Sequence, residues 1–187
     1  MASFKSNTLK LTQAALFTAL GVFLPQLSHL FGADFGKLIS PMHFPIFIAA
    51  FLLGPLYGSA VAIACPILNC LVTGMPVAAK LPFMVLELLT YALVTGFAYK
   101  LMGKFKRPIK LYVSLILGQI IGRIVYYLGI VVAIKLFGVT HPAVFRSVSV
   151  LAFLESFAEG LPSIIIQLCL IPLIVVLLEN IQRKHRS

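Results

Sequence analysis

Arg123 needs a compensating anion or polar cavity more than any other residue in this sequence, because it lies deep inside a long apolar run. A guanidinium in the middle of a hydrocarbon layer costs at least about 2.5 kcal/mol unless an anion or a polar cavity compensates it. Other apolar runs carry three candidate anions, Glu87, Glu155 and Glu159. The sequence therefore predicts a buried polar site in which Arg123 meets a glutamate, a bound ligand, or both.

Helical spacing brings further polar side chains onto the same faces as these charges. Residues four, seven or eight positions apart share one face of a helix, which groups Gln119 and two tyrosines with Arg123, and Tyr91 with Glu87. The predicted substrate-binding residues are Asn69, Glu87, Tyr91, Gln119, Arg123, Tyr126, Tyr127, Glu155 and Glu159. All of them fall in one half of the predicted bundle, and the other half is nearly pure Leu, Ile, Val, Phe and Ala. This asymmetry favours a pocket open to one side over a continuous pore.

Other interpretations of these charges stay open at the sequence level. Arg123 and a glutamate would also form a structural ion pair that only locks two helices. An intramembrane enzyme using Glu155 and Glu159 is an alternative of another class, although the sequence lacks HExxH and GxSxG signatures. A structural membrane protein without a ligand is the third alternative. No metal site or cofactor is expected, because no histidine or cysteine has a partner at ligand spacing.

Composition indicates the medium that surrounds these residues. Of the 187 residues, 60% are hydrophobic and 11% are charged, and the mean hydropathy is +1.05. A soluble domain with this composition would expose large apolar patches. Long apolar runs, rather than alternating ten-residue strands, predict helices. We expect an all-α membrane protein, one integral domain over residues 1–187, built as a bundle of six transmembrane helices at about 9–31, 38–53, 56–72, 81–101, 111–137 and 150–178, after a short polar tail.

The second and third of these runs are joined by Gly54-Pro55-Leu56-Tyr57-Gly58, a segment too short to cross a bilayer. They must therefore form a tight helical hairpin. Between Phe44 and Val72 there is no charged residue, and apolarity all round a helix is what lipid contact demands.

The distribution of basic residues orients the predicted bundle. Cytoplasmic segments carry the larger share of Lys and Arg in membrane proteins, and six spans place both termini on the same side. With both termini cytoplasmic, the basic residues inside are Lys5, Lys10, Lys100, Lys104, Lys106, Arg107, Lys110, Arg183, Lys184 and Arg186, against Lys37, Lys80, Lys135 and Arg146 outside. The net charge of +10 follows from this topology and from contact with the lipid bilayer, so it does not indicate nucleic-acid binding.

Four segments occur in an order that resembles a known family: ALFTALGVFLP, SPMHFPIFIAAFLLGPLYG, VTGMP and LELLTYALVTG. The chain is similar to the S components, the substrate-binding subunits of bacterial energy-coupling factor (ECF) vitamin transporters. The resemblance implies a multi-pass protein of the bacterial plasma membrane that docks on an ECF transmembrane scaffold subunit and, through it, on two ATPases. It also implies that Ala15 and Ala19, a strip of small residues suited to close helix approach, form the docking surface.

The pocket residues favour one class of vitamin over another. Three glutamates and one arginine leave the predicted pocket net negative if all are ionised, which disfavours an anion. Tyrosine rings and hydroxyls suit a small heterocycle, so we expect a hydroxymethylpyrimidine or a pyridoxine-like vitamer. Pantothenate is the alternative, because Arg123 would clamp its carboxylate. The loops at His29–Met42 and Thr73–Lys80 are expected to act as lids.

Overall fold

In the computed structural model, residues 2–30, 32, 39–138 and 150–184 are described, without the side chains of 2–6, 29, 137, 150–157, 159, 182 and 183. Over this part of the chain, all regular structure is helical. The helices are α1 Ala2–His29, α2 His43–Leu53, α3 Pro55–Thr73, α4 Leu81–Leu101, α5 Arg107–Phe137 and α6 Val150–Lys184. The predicted all-α class is confirmed.

Five of these six described helices contain a stretch long and apolar enough to cross a membrane, and α2 does not. With 11 residues and a rise of about 1.5 Å per residue, α2 is far shorter than the roughly 30 Å of a hydrocarbon core. The predicted span at 38–53 is therefore too long. Its start shifts because Ser40 has a φ of 49° and precedes Pro41, a position that disfavours helical backbone.

The all-round apolarity of α2 has a different cause from the one that the sequence suggested. Ile46, Phe47 and Ala49 are completely buried, and most of the other α2 side chains are buried too. Neighbouring helices of the protein, rather than lipid, surround α2. A short apolar helix enclosed by protein is the usual alternative to a membrane span of this length.

The predicted hairpin between α2 and α3 is confirmed, and glycines make it possible. Gly54 connects the two helices with a φ of 93°, a conformation that costs other residues more than glycine. A Cβ atom on Gly58 would lie 2.8 Å from the Cα atom of Ala50, and one on Gly96 of α4 would lie 2.8 Å from that of Pro55. Helices α2, α3 and α4 therefore approach each other closely at this turn.

The observed helix boundaries agree best with the predicted ones where a glycine or proline interrupts the helical pattern. Helix α4 has the predicted bounds, and α3 extends one residue beyond the predicted span at each end. The predicted polar tail is wrong, because α1 already begins at Ala2 and residues 2–8 contain no helix-breaking Pro or Gly. Helix α5 begins four residues early, since Pro108 is tolerated in a first turn, and α6 continues to Lys184.

The outside of the bundle is covered with large aliphatic side chains. Leu56, Leu71, Leu136 and Leu173, from three different helices, are between 65% and 78% exposed. Such faces are stable in lipid and would be an aggregation hazard in water. Together with the five spanning helices, they indicate a multi-pass membrane protein.

A polar cluster joins the C-terminal ends of α4 and α6 to the start of α5. Arg107 forms an ion pair with Glu179 and donates a hydrogen bond to Asn180 Oδ1 at 3.2 Å. The Tyr99 hydroxyl donates to Glu179 Oε1 at 3.1 Å, and the Lys110 ammonium lies 4.1 Å from the centroid of the Tyr99 ring. The expectation that this half of the bundle is nearly all aliphatic is wrong at its very end, where polar side chains tie the three helices together.

Candidate substrate site

Glu87, Tyr91 and Arg123 meet between α4 and α5. The sequence predicted the pairing of Tyr91 with Glu87 on one helix face but left open which glutamate meets Arg123. The Nε atom of Arg123 lies 3.4 Å from Oε1 of Glu87, and the Tyr91 hydroxyl donates a hydrogen bond of 2.6 Å to the same oxygen. Only 6% of the Glu87 side chain is exposed, whereas 20% of the Arg123 side chain is. The carboxylate is therefore enclosed, whereas part of the Arg123 side chain is accessible.

Helix α2 supports the tyrosine of this cluster. The ring of Phe47 stacks on Tyr91 with 5.1 Å between centroids, and the ring of His43 lies 5.5 Å away at a tilt of 49°. His43 Nδ1 lies 3.1 Å from the carbonyl oxygen of Ser40. His43 was not among the predicted site residues, although its position at the start of an apolar run was a usable signal. The contacts with the rings of Phe47 and His43 hold Tyr91 in the orientation in which its hydroxyl reaches Glu87.

Two glycines make room for the cluster. A Cβ atom on Gly122 of α5 would overlap the ring of Tyr91, and one on Gly160 of α6 would lie 2.9 Å from an Nη atom of Arg123. The ring and the guanidinium therefore lie directly against helix backbones. Because of these close approaches, Arg123 is held between Glu87 of α4 and the backbone of α6.

Replacing Gly122 by alanine is expected to damage ligand binding as well as stability. The new methyl group would displace Tyr91, and overpacking of a well-filled interior typically costs about 1–3 kcal/mol. Thermal unfolding in detergent and ligand titration measure the two effects. Gly103→Ala is the matched control, because its Cβ atom would make only an ordinary contact of 3.6 Å. Equal behaviour of the two variants would contradict the close packing of Tyr91 on α5.

A chain of hydrogen bonds links α5, α6 and the segment before α2. Gln119 donates to Oε1 of Gln167 at 2.9 Å, Gln167 donates to Ser163 Oγ at 2.7 Å, and Ser163 donates to the carbonyl oxygen of Ile39 at 3.1 Å. Gln119, Ser163 and Gln167 are all buried. The sequence placed Gln119 with Arg123, but its hydrogen bond goes to Gln167 instead. The spacing of four residues between Ser163 and Gln167 places both side chains on one face of α6. This spacing was the sequence signal that Gln167 belongs to the network.

Asn69 belongs to a different part of the molecule from the ion pair. Its amide nitrogen donates to the carbonyl oxygens of Gly21 and Cys65, each at 3.0 Å, and lies 3.4 Å from Sδ of Met42. Asn69 thus joins α3 to α1, and within the described contacts it does not touch Glu87 or Arg123; its role in substrate binding stays a prediction. It lines a cavity of about 240 Å³ at this end of the bundle.

The remaining predicted site residues differ in how much the structure describes. Tyr126 lies close enough to Glu87 and Arg123 to interact with their charges, and Tyr127 is half-buried one position further along α5. Glu155 and Glu159 are part of α6, but their side chains lie outside the described residues. Ala15 and Ala19 are exposed on α1, whereas Ala14 is buried. Within the described residues, no group of three or more His, Cys, Asp or Glu is arranged to hold a metal ion.

The apolar helices enclose an ion pair, the aromatic rings that support it and a series of hydrogen-bonded side chains. These features define a multi-pass membrane protein with a candidate small-molecule site. Over residues 9–175 the chain matches the family model for the ECF transporter, substrate-specific component. The chain therefore belongs to this family, and the resemblance found in the sequence is confirmed. No curated protein and no solved structure matches it. Members of the family are transporter subunits and not enzymes, which argues against the alternative of an intramembrane enzyme using Glu155 and Glu159.

Proposed function

We propose that this chain is the subunit of an ECF transporter that captures a small B-vitamin or vitamin precursor at the Arg123–Glu87–Tyr91 cluster. The observation that carries the proposal is the uneven burial of the ion pair: Glu87 is enclosed, while Arg123 keeps 20% of its side chain accessible. Intramembrane charges that face a cavity are functional in most membrane proteins. A buried ion pair contributes little to stability by itself, because the desolvation of both charges offsets their attraction, so helix locking alone does not account for placing these charges here.

The binding site opens to the outside of a bacterial plasma membrane in this proposal. In this proposal the face whose segments carry the larger share of Lys and Arg is the cytoplasmic one. Because α2 is too short to span, the placement of both termini at that face, which assumed six crossings, stays a prediction. The segment from Gly74 to Lys80, which contains no helix, would cover the pocket together with the connection between α1 and α2, which lies mostly outside the described residues. A scaffold subunit, with two ATPases attached to it, supplies the energy for transport.

The geometry of the cluster favours an uncharged ring as the substrate. Arg123 and Glu87 compensate each other at 3.4 Å, so a bound anion would have to compete with Glu87 for the guanidinium. The half-buried Tyr126 offers a flat contact surface and a hydroxyl group, whereas Tyr91 is 2% exposed and uses its hydroxyl to hold Glu87. A hydroxymethylpyrimidine or a pyridoxine-like vitamer fits these groups. Pantothenate is the second candidate, because its carboxylate would form charge-assisted hydrogen bonds to the exposed part of Arg123.

Calorimetric titration of the detergent-solubilised chain tests this proposal. We expect binding of hydroxymethylpyrimidine or pyridoxine without turnover, and much weaker binding of pantothenate. Tight binding of pantothenate alone would contradict the charge argument and leave the class of protein unchanged. If none of the three compounds binds, all three substrate candidates are wrong and the ligand is unidentified.

A further inference from the structure

A cavity of about 240 Å³ lies between α1, α3 and the start of α4. It is lined by Pro25, Gln26, Met42, Asn69, Thr73, Met75, Pro76 and Met84. None of these residues takes part in the contacts of the Arg123–Glu87–Tyr91 cluster. The volume is below the roughly 300–1,000 Å³ of sites for drug-sized ligands, so it suits a single small ring.

Asn69 presents a hydrogen-bond acceptor to this cavity. Its side-chain amide has two hydrogens, and the nitrogen lies 3.0 Å from each of two backbone carbonyl oxygens, those of Gly21 and Cys65. The opposite orientation of the amide would place oxygen against oxygen. Both donors are therefore used by the fold, and the carbonyl oxygen Oδ1 is the polar atom left for the cavity. Asn69 is 3% exposed, so only a small part of its amide is reachable from the cavity.

The other two polar side chains of the lining also use donors within the protein. Thr73 donates its hydroxyl hydrogen to the carbonyl oxygen of Asn69 at 2.8 Å, which leaves only acceptor capacity. Gln26 donates one of its two amide hydrogens to the carbonyl oxygen of Val22 at 3.2 Å. The Met75 N–H donates to Thr73 Oγ1 at 3.2 Å, so the acceptor that the fold leaves to the cavity is chiefly Oδ1 of Asn69. The described lining is mostly apolar and contains no charged side chain.

The remaining surface is apolar and adaptable. Met42, Met75 and Met84 contribute thioethers, which fill irregular spaces and make favourable contacts with aromatic rings, and two prolines complete the lining. An anionic or cationic group would lose its hydration here without meeting an opposite charge, which is costly. A ring with an N–H or O–H group would satisfy Asn69 and pack against the thioethers.

We propose that this cavity is a second small-molecule site, selective for a single uncharged heterocyclic ring that bears a hydrogen-bond donor. The proposal goes beyond the capture of substrate at Arg123, because the two sets of residues are separate and occupancy of the cavity does not require transport. Discrimination comes from the acceptor of Asn69, which rejects rings without a donor, and from the uncharged lining, which rejects carboxylates.

The chain contains no tryptophan, so a single introduced tryptophan reports on the cavity. In the Met75→Trp variant the indole replaces a lining residue that is 57% exposed, and its fluorescence is titrated with three related rings in detergent. We expect a saturable change with 4-aminopyrimidine, binding weaker by about tenfold with 4-methoxypyrimidine because Asn69 is left unpaired, and no saturable change with pyrimidine-4-carboxylate.

Matched variants locate the response. Leu71→Trp, which is 76% exposed on α3 and outside the lining, is expected to give no saturable change. Adding Thr73→Phe to Met75→Trp should fill the cavity and remove the response, whereas adding Val72→Phe at the neighbouring exposed position should preserve it. Equal binding of all three rings, no binding of any, or an unchanged response after Thr73→Phe would each overturn the proposal.

The two proposals fail separately in this experiment. Adding Glu87→Gln to Met75→Trp is expected to leave the response to 4-aminopyrimidine in place, because Glu87 is not part of the lining. A fluorescence response to 4-aminopyrimidine that persists when none of the three candidate vitamins binds at the Arg123–Glu87–Tyr91 cluster would support the cavity and refute these vitamins as substrates. Vitamin binding without any fluorescence response of Met75→Trp would support vitamin capture and refute the cavity as a second site.

Discussion

Replacing Ala19 by tryptophan is expected to abolish vitamin uptake while ligand binding stays normal. Ala15 and Ala19 lie on an exposed face of α1, and the neighbouring Ala14 is buried. Helices approach most closely where their facing residues are small, so an indole at this strip would separate α1 from the scaffold subunit. The measurements are uptake in cells that carry the scaffold and ATPases, and ligand titration of the purified variant.

The control for this prediction is a tryptophan on another exposed face of the bundle. Leu173→Trp on α6 replaces a residue that is 65% exposed, and it should support normal uptake. Normal uptake by Ala19→Trp would show that this strip of α1 is not the docking surface. Loss of uptake in both variants would point instead to a general effect of added bulk.

Replacing Arg123 or Glu87 by alanine is expected to weaken binding of the substrate by about 1–3 kcal/mol, or about 5-fold to 150-fold in dissociation constant. Each substitution leaves a polar group of the cluster without its partner at 3.4 Å. Calorimetric titration with the vitamin that binds the parent chain measures the change. Leu101→Ala, at a site that is 84% exposed at the other end of α4, should leave affinity unchanged.

A double-substitution cycle separates binding from a purely structural ion pair. If Arg123 and Glu87 contact the ligand, the folded fraction of each alanine variant loses affinity, and the combined variant shows coupling in the binding free energy. If the pair only locks α4 to α5, the variants lose folded protein, and the fraction that folds binds the ligand normally. Removing one partner of a buried pair is strongly destabilising, so the structural outcome would be visible in thermal unfolding.

Local features of the sequence were sufficient for the helix class and for the contact between Glu87 and Tyr91. Long apolar runs require helices in lipid, and a spacing of four places two side chains side by side on one helix. The turn at Gly54 likewise predicted the hairpin, because no chain of that length crosses a bilayer. The oppositely charged Arg123 and glutamates also predicted an ion pair, since a buried charge needs a partner.

Only the tertiary structure decided which glutamate pairs with Arg123, where Asn69 and Gln119 find their partners, and why α2 is apolar. Helices that are apolar on every side carry no periodic signal for their rotation about the axis, so the face that meets a neighbour is set by packing. Glycines such as Gly122 and Gly160 fix that rotation by admitting one large side chain each. The shortness of α2 has the same origin: neighbouring helices bury it, and burial in protein and burial in lipid select the same residues.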